Sequence, residues 1–534
     1  MKLRKGVRRG ALLVIFASLF AFLPSAKAAT LAITTPSNQT AVVGSAFSLL
    51  ISATGGTGGN QFALASGTLP SGLALNPSTG EISGNPTASQ SNAITVRVTD
   101  NSSATATTSS FTINTGWMVS TYAGSGAATA SGDGGQATSA GMTPHSISIA
   151  TDGTLYISDV ANSTLRKVTT SGVISTVSGA ISIITGMHAR DNGDIYFTKW
   201  NYTVPIQKFQ ASNSSVTSWS DPLINMNQGR GMTVDLAGNL LIAEAAGQYI
   251  RRFAADGSVT NIAGTGTAGF SGDGGAATSA AINSPFDVAV DPSGNIYFTD
   301  VNNYRIRKIS TSGVISTILG NGQIATSGDG GLAVNAKTSN LWGIAADGAG
   351  NIFFGERGGG SIRRIDASTG IVTRVAGTGT AGANDSPVNG ISSTAVFSSI
   401  IEQMRFDRSG NLYLTDYWNH MIRKIAGIGI PFNSVTSASV TLSATGKFAK
   451  GVSAIISTDV NTTGKVTFYS NGKKIPGCIG LNASGSTPIT VTCNWKPITS
   501  GAFALKAVLT PTSDPSSPVT STAQVRVGRR SNTR

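Results

Sequence analysis

Phe286-Asp287-Val288-Ala289-Val290-Asp291-Pro292-Ser293-Gly294-Asn295-Ile296-Tyr297-Phe298-Thr299-Asp300 is the stretch that decides the fold. Two short runs rich in β-branched and aromatic residues flank a turn with its own chemistry. Pro292 presets φ for a type I turn, the Asp291 side chain can accept from the turn's backbone, and Gly294 supplies the left-handed residue that resumes the strand. The loop Val301-Asn302-Asn303-Tyr304 leads to a third run, Arg305 to Ile309. A second turn at Thr311-Ser312-Gly313 leads to a fourth, Val314 to Ile318. The unit reads as four antiparallel strands.

Aligning on the turn glycine finds this unit six times, at Gly153, Gly193, Gly238, Gly294, Gly350 and Gly410. A repeat of this kind outranks other sequence signals. The third strand recurs six times, from Leu165-Arg166-Lys167-Val168 to Ile422-Arg423-Lys424-Ile425, but a fourth strand follows only the first five. The missing strand lies ahead of the repeats, where Val119-Ser120-Thr121-Tyr122-Ala123-Gly124 matches Val372-Thr373-Arg374-Val375-Ala376-Gly377. The spacing therefore predicts an all-β, six-bladed β-propeller whose ring is closed by an N-terminal strand, an arrangement that leaves few sheet edges exposed.

The Gly294 to Asp300 and Gly410 to Asp416 strands, the Asn303 to Lys308 and Asn419 to Lys424 segments, and the Ser-Gly-Asp-Gly-Gly loops at 131–135, 271–275 and 327–331 resemble the NHL-repeat family of propellers. The resemblance covers 117–427. Repeat two departs most, with Lys199 in the acidic position and Gln207 in the basic one.

At 534 residues the chain is long enough for about three domains, and its 12% charged residues with abundant Gly, Ser, Thr and Asn suit a turn-rich extracellular β protein. Residues 1–28 read as a signal peptide, with basic Lys2, Arg4, Lys5, Arg8 and Arg9, an apolar run from Ala11 to Leu23, and Ala26-Lys27-Ala28 as a small-x-small cleavage site. The protein is therefore expected to be secreted, extracellular or on the cell surface, with no membrane span. Removing these residues takes six basic charges away and lowers the formal charge from +13 to +7. Eleven of the twelve central third-strand positions are Lys or Arg, spread around the ring, and each lies near an acidic strand end such as Asp159, Glu244, Asp300, Glu356 or Asp416. That pattern reads as inter-strand ion pairs. A nucleic-acid partner would need the charge gathered on one face with interleaved aromatics.

Residues 30–115 alternate short β runs with turns, including Ala93 to Asp100 and Ser110 to Ile113, as a β-sandwich does. The Leu-Pro-x-Gly-Leu and Thr-Gly-x-Ile-Ser-Gly-x-Pro series resembles the immunoglobulin-like or cadherin-like modules of bacterial surface proteins. Cadherin-like relatives can bind calcium; in this module Asp100 and Glu81 are the only carboxylates, fewer than a tight site wants, so no cofactor is the preferred reading and calcium the alternative. Residues 430–527 read as a second sandwich, in which Gly464-Lys465-Val466-Thr467-Phe468-Tyr469-Ser470-Asn471-Gly472-Lys473 resembles a bacterial immunoglobulin-like repeat. Its Cys478 and Cys493 are the only cysteines. A disulfide is the preferred reading and a pair of buried thiols the alternative; two cysteines with no nearby histidine hold too few ligands for a metal. Residues 528–534 read as a basic, disordered tail.

There is no zinc-binding histidine spacing, nucleophile elbow or phosphate-binding loop; the Ser-Gly-Asp-Gly-Gly loops lack the Lys-Ser/Thr such a loop requires. These loops are read as connections between blades whose Asp133, Asp273 and Asp329 satisfy backbone donors. In a propeller the first strands line the channel, so their opening residues ring its mouth: His145-Ser146, Thr185-Gly186, Arg230-Gly231, Phe286-Asp287, Trp342-Gly343 and Glu402-Gln403. His145, Arg230, Phe286, Asp287, Trp342 and Glu402 are the candidate site, with Arg230 facing Glu402 across the ring and Phe286 and Trp342 as an apolar wall. The alternative is that they plug the channel. Two function classes follow. One is a secreted binding or adhesion scaffold that recognises an extracellular protein or glycan, with the sandwiches as spacers. The other resembles the propeller lyases and lactonases, with a metal held by His145, Asp287 and Glu402.

Overall fold

A computed structural model describes residues 29–528 apart from 180, 182, 191, 201–205, 220–226, 380–389, 393, 433–439, 444–447, 450–453, 461–463, 472, 484–488, 498–500 and 512–518. The signal-peptide reading at 1–28 and the tail at 529–534 fall outside the described residues.

Six antiparallel sheets form the propeller. Five have four strands paired in chain order, as in Pro285–Val290, Ile296–Asp300, Arg305–Ile309 and Ile315–Leu319 of blade four. The sixth joins the two ends of the repeat region: Met118–Ala123 pairs antiparallel with Met421–Ile425, in the register Val119 to Ile425, Ser120 to Lys424 and Thr121 to Arg423. The N-terminal strand thus closes the ring as the spacing predicts. A short strand, Gly390–Ile391, adds to its outer edge at Met118 and Val119. Apolar residues from facing blades fill the gaps between sheets, as where Leu241, Ala243 and Ile250 of blade three meet Val288, Phe298 and Ile309 of blade four.

The turns follow their sequence chemistry. In blade four the Asn295 N–H and side-chain amide donate to Asp291 at 2.9 and 2.7 Å, Tyr297 donates its hydroxyl to the same carboxylate, and Gly294 sits at φ 86°. The basic third strands are inter-strand ion pairs. Arg166, Arg307, Arg363 and Arg423 are fully buried, and they face Asp159, Asp300, Glu356 and Asp416 at 3.7, 3.2, 3.2 and 3.5 Å. In blades one, four and five the same guanidinium also holds the Ser-Gly-Asp-Gly-Gly loop, through Asp133, Asp273 and Asp329 at 2.6, 2.9 and 3.0 Å. Those loop carboxylates were expected to serve backbone donors, and Asp133 does accept from the Thr176 N–H, but the arginine is their common partner. Blade two, which lacks the arginine, instead donates the Gln207 amide to Ser218, and burial lowers the pKa of Lys199.

The N-terminal module packs a five-stranded sheet centred on Gln90–Thr99 and Phe111–Gly116 against the three strands Phe47–Leu50, Glu81–Gly84 and Leu73–Leu75, over a core of Ile82, Ile94, Val96, Val98, Phe111 and Ile113. Asp100 is consumed locally, accepting from Thr57, Ser102 and Ala104 backbone N–H groups and the Ser102 hydroxyl. In the C-terminal region a three-stranded sheet, Val440–Ser443, Ala454–Val460 and Ile489–Trp495, accompanies a six-stranded one. A disulfide joins Cys478 to Cys493 with Cα atoms 5.6 Å apart, and both residues are buried.

Candidate functional site

The site is set by an irregularity that all six first strands share. In blade four Pro285 pairs with Asp300 and the next pair is Val288 with Phe298, so Phe286 and Asp287 lie in a β-bulge. The same shift leaves out His145-Ser146, Arg230-Gly231, Trp342-Gly343 and Glu402-Gln403, and in blade two Thr185 alone. A bulge frees residues from the ladder and re-aims their side chains. The freed backbone N–H groups need another acceptor. Thr299 Oγ1 takes the Asp287 N–H at 3.0 Å, and Thr415 Oγ1 takes those of Glu402 and Gln403 at 3.1 and 3.0 Å. The threonine of the Phe-Thr-Asp and Leu-Thr-Asp strand ends thus serves the site from behind.

The two bulge residues go to different levels. The first ones, His145, Arg230, Phe286, Trp342 and Glu402, line one cavity of about 500 Å³ at the channel mouth. Thr185 does not; it donates its hydroxyl to the Gly229 carbonyl at 2.6 Å. The second ones close the channel beneath. The Ser146 hydroxyl donates to Gln403 Oε1 at 2.8 Å, and the Gln403 amide donates to the Thr185 carbonyl at 3.3 Å. A Cβ on Gly186 would stand 1.8 Å from the Arg230 carbonyl oxygen, and one on Gly231 would stand 2.0 Å from Asp287 Oδ1. Only glycine allows that approach.

Asp287, expected at the mouth, belongs to this floor. It is fully buried and is clamped from below by Arg405 at 3.0 and 3.1 Å, while the Val288 and Ile344 N–H groups donate to it at 2.9 and 3.2 Å. Burial pushes its carboxyl up and Arg405 opposes that shift.

Within the mouth, Glu402 does not face Arg230 as a partner. Its Oε2 lies 2.7 Å from His145 Nε2, and both side chains are buried. Arg230 stacks instead, with its Cζ 4.1 Å from the Trp200 ring centre and 5.4 Å from that of Phe286. Phe286 and Trp342 stack at 4.7 Å with 26° between planes, so the apolar wall is present as expected.

Seven lining residues come from the loops between second and third strands, which the ring of first strands does not include; the large ones are Trp200, Arg357, Tyr417 and Trp418. Each directly follows the end of a second strand, or follows it by one residue, as in Asp416-Tyr417-Trp418, and that position was the available signal. Trp200 and Trp418 are both 47% exposed at the rim. Tyr417 stands edge-on to His145, and burial, with the Glu402 charge, raises its phenol pKa.

A metal held by His145, Asp287 and Glu402 does not fit these positions, because Asp287 lies in the floor with both oxygens engaged. Among the described residues no three His, Cys, Asp or Glu side chains gather as ligands. Nor, among them, is any helix long and apolar enough to cross a membrane.

Comparison with known proteins recognises two of the domain types. Residues 29–116 match the family model described as "Putative Ig domain", and residues 266–327 match the Teneurin NHL domain model. No curated protein sequence matches the chain. Among solved structures, a structural genomics protein of unknown function from Bacteroides thetaiotaomicron is 18% identical, covering 76% of this chain and 98% of its own, with a TM-score of 0.47. An auxiliary nutrient binding protein from the same organism is 16% identical over 74% of this chain and 98% of its own, TM-score 0.47. Virginiamycin B lyase from Staphylococcus aureus is 15% identical over 59% and 91%, TM-score 0.36.

Proposed function

We propose that the protein is a secreted or cell-surface binding scaffold whose propeller mouth takes an extracellular protein or glycan, with the two β-sandwich modules as spacers. The observation that carries this reading is the cup itself. Five aromatic side chains, Trp200, Phe286, Trp342, Tyr417 and Trp418, wall a cavity of about 500 Å³ whose floor is sealed by the second bulge residues. Aromatic faces held open to water at a rim are a cost to a folded protein unless something covers them, and sugars and apolar side chains do so. The Asp287 clamp argues against the metal-assisted alternative, since it withdraws one of that reading's three ligands. Secretion is supported by the basic, apolar and small-x-small order of residues 1–28, and by a disulfide suited to an oxidising compartment.

The test is a screen of the purified protein on glycan and extracellular-protein arrays, beside a Trp200→Ala/Trp418→Ala variant. Reproducible hits that the variant loses are expected. Hits that the variant retains would move the site away from the mouth, and two empty arrays would sink the reading.

A further inference from the structure

Half of the mouth is one continuous stack of cations and rings. Trp200 covers Arg230, Arg230 leans on Phe286, Phe286 stacks on Trp342, and the Arg357 guanidinium lies 4.9 Å from the Trp342 ring centre. A guanidinium over an aromatic face keeps its charge and its N–H donors, the fork that matches a carboxylate. Glu402 also lines the cup, the one carboxylate to do so among the described residues, and it already has His145 at 2.7 Å. Arg357 is exposed and, among the described residues, has no carboxylate partner. Among the described residues, Arg357 is thus a guanidinium at the cup whose fork is open to a carboxylate.

From this geometry we infer that the cup takes an acidic saccharide, a pyranose ring bearing a carboxylate, with its C–H face on Phe286 and Trp342 and its carboxylate on Arg357 beside Arg230. This deepens the binding reading above and rests on it. A flat aromatic acid would match the stack but would carry no hydroxyls for the polar groups that also line the cup, among them the Asn340 amide. The ring hydroxyls of a sugar add those hydrogen bonds. The cavity volume suits roughly one or two sugar residues at a chain end.

The probes are an oligogalacturonate and its fully methyl-esterified form, titrated calorimetrically into the whole protein. The acid is expected to bind at least ~10-fold tighter than the ester, the scale of a hydrogen bond to a charged group. Its affinity should fall as salt rises. Arg357→Gln should bring the acid down to the ester's level, and Arg357→Lys should restore part of the gap. Trp342→Ala should remove binding of both probes while Trp342→Phe keeps it, which separates loss of the platform from misfolding. Equal affinities for acid and ester, or no effect of Arg357→Gln on the gap, would overturn the charge recognition while leaving a glycan site at the mouth. Binding of neither probe by a protein that scores on the arrays would overturn the saccharide class alone; silence in both would take the mouth reading with it.

Discussion

Phe286 and Asp287 are neighbours in one bulge, yet they end in different layers, and the same split runs around the ring. The first residues are large and chemically varied: His145, Arg230, Phe286, Trp342 and Glu402 line one cup at the channel mouth. The second residues are small or sequestered: Ser146, Gly231, Gly343, Gln403 and the clamped Asp287. The floor is held by backbone contact and a buried ion pair, so it tolerates little. The mouth is held by stacking, so it can vary without reopening the channel. The contrast separates what makes the propeller rigid from what makes it selective.

The largest effect should come from the floor. Asp287→Ala leaves Arg405 without its carboxylate and orphans the Val288 and Ile344 N–H groups, so a loss of about 3 kcal/mol or more of unfolding free energy is expected. Denaturant titration followed by tryptophan fluorescence reads it. A loss under about 1 kcal/mol would mean that the clamp is optional and that mouth and floor do not differ as described.

At the mouth a truncation of comparable size should cost less. Trp342→Ala removes a stacked partner of Phe286 and the support of Arg357, and because Trp342 is already partly exposed the expected loss is about 1–2 kcal/mol. The same titration compares the two variants directly. If Trp342→Ala proved as damaging as Asp287→Ala, these rings would be plugging the channel, the reading that competes with a ligand site.

The fold was largely legible because each level of the sequence agreed with the next: the Asp-Pro-Ser-Gly turn fixed the hairpin, its recurrence fixed the blade number, and the unpaired fourth strand at Val119 fixed the closure. The ion pairs of the third strands were legible for the same reason. The split between Phe286 and Asp287 was not. A bulge adds a residue that strand alternation does not mark, so two adjacent positions looked like one ring. Blade order sets Arg230 half a turn from Glu402 but does not show that His145 reaches Glu402 or that Trp200 lies over Arg230. Trp200, Arg357, Tyr417 and Trp418 come from loops, whose paths strand periodicity does not determine.

The smallest effect concerns the underside, where a second histidine sits on a first strand with the opposite surroundings. At the mouth His145 meets a carboxylate; beneath the floor His188 meets burial and the guanidinium charges of Arg190 and Arg405, which together push its imidazole down from 6.5 to about 3. The sign follows from proton counting. Between those values the unfolded chain takes up a proton at His188 and the folded protein does not, so this contribution is complete above about pH 6.5 and is lost as the pH falls toward 3. Between about pH 7.5 and 5.5 the group should cost at most about 1.4 kcal/mol of stability. Urea midpoints of the wild type and His188→Gln at both pH values isolate the term, because other titrating groups are common to the two proteins. The wild type should lose more on acidification than the variant. Parallel losses would mean that His188 is hydrated from the far face and that Arg405 does not stay fixed on Asp287, and the floor would then be a looser layer than its hydrogen bonds describe.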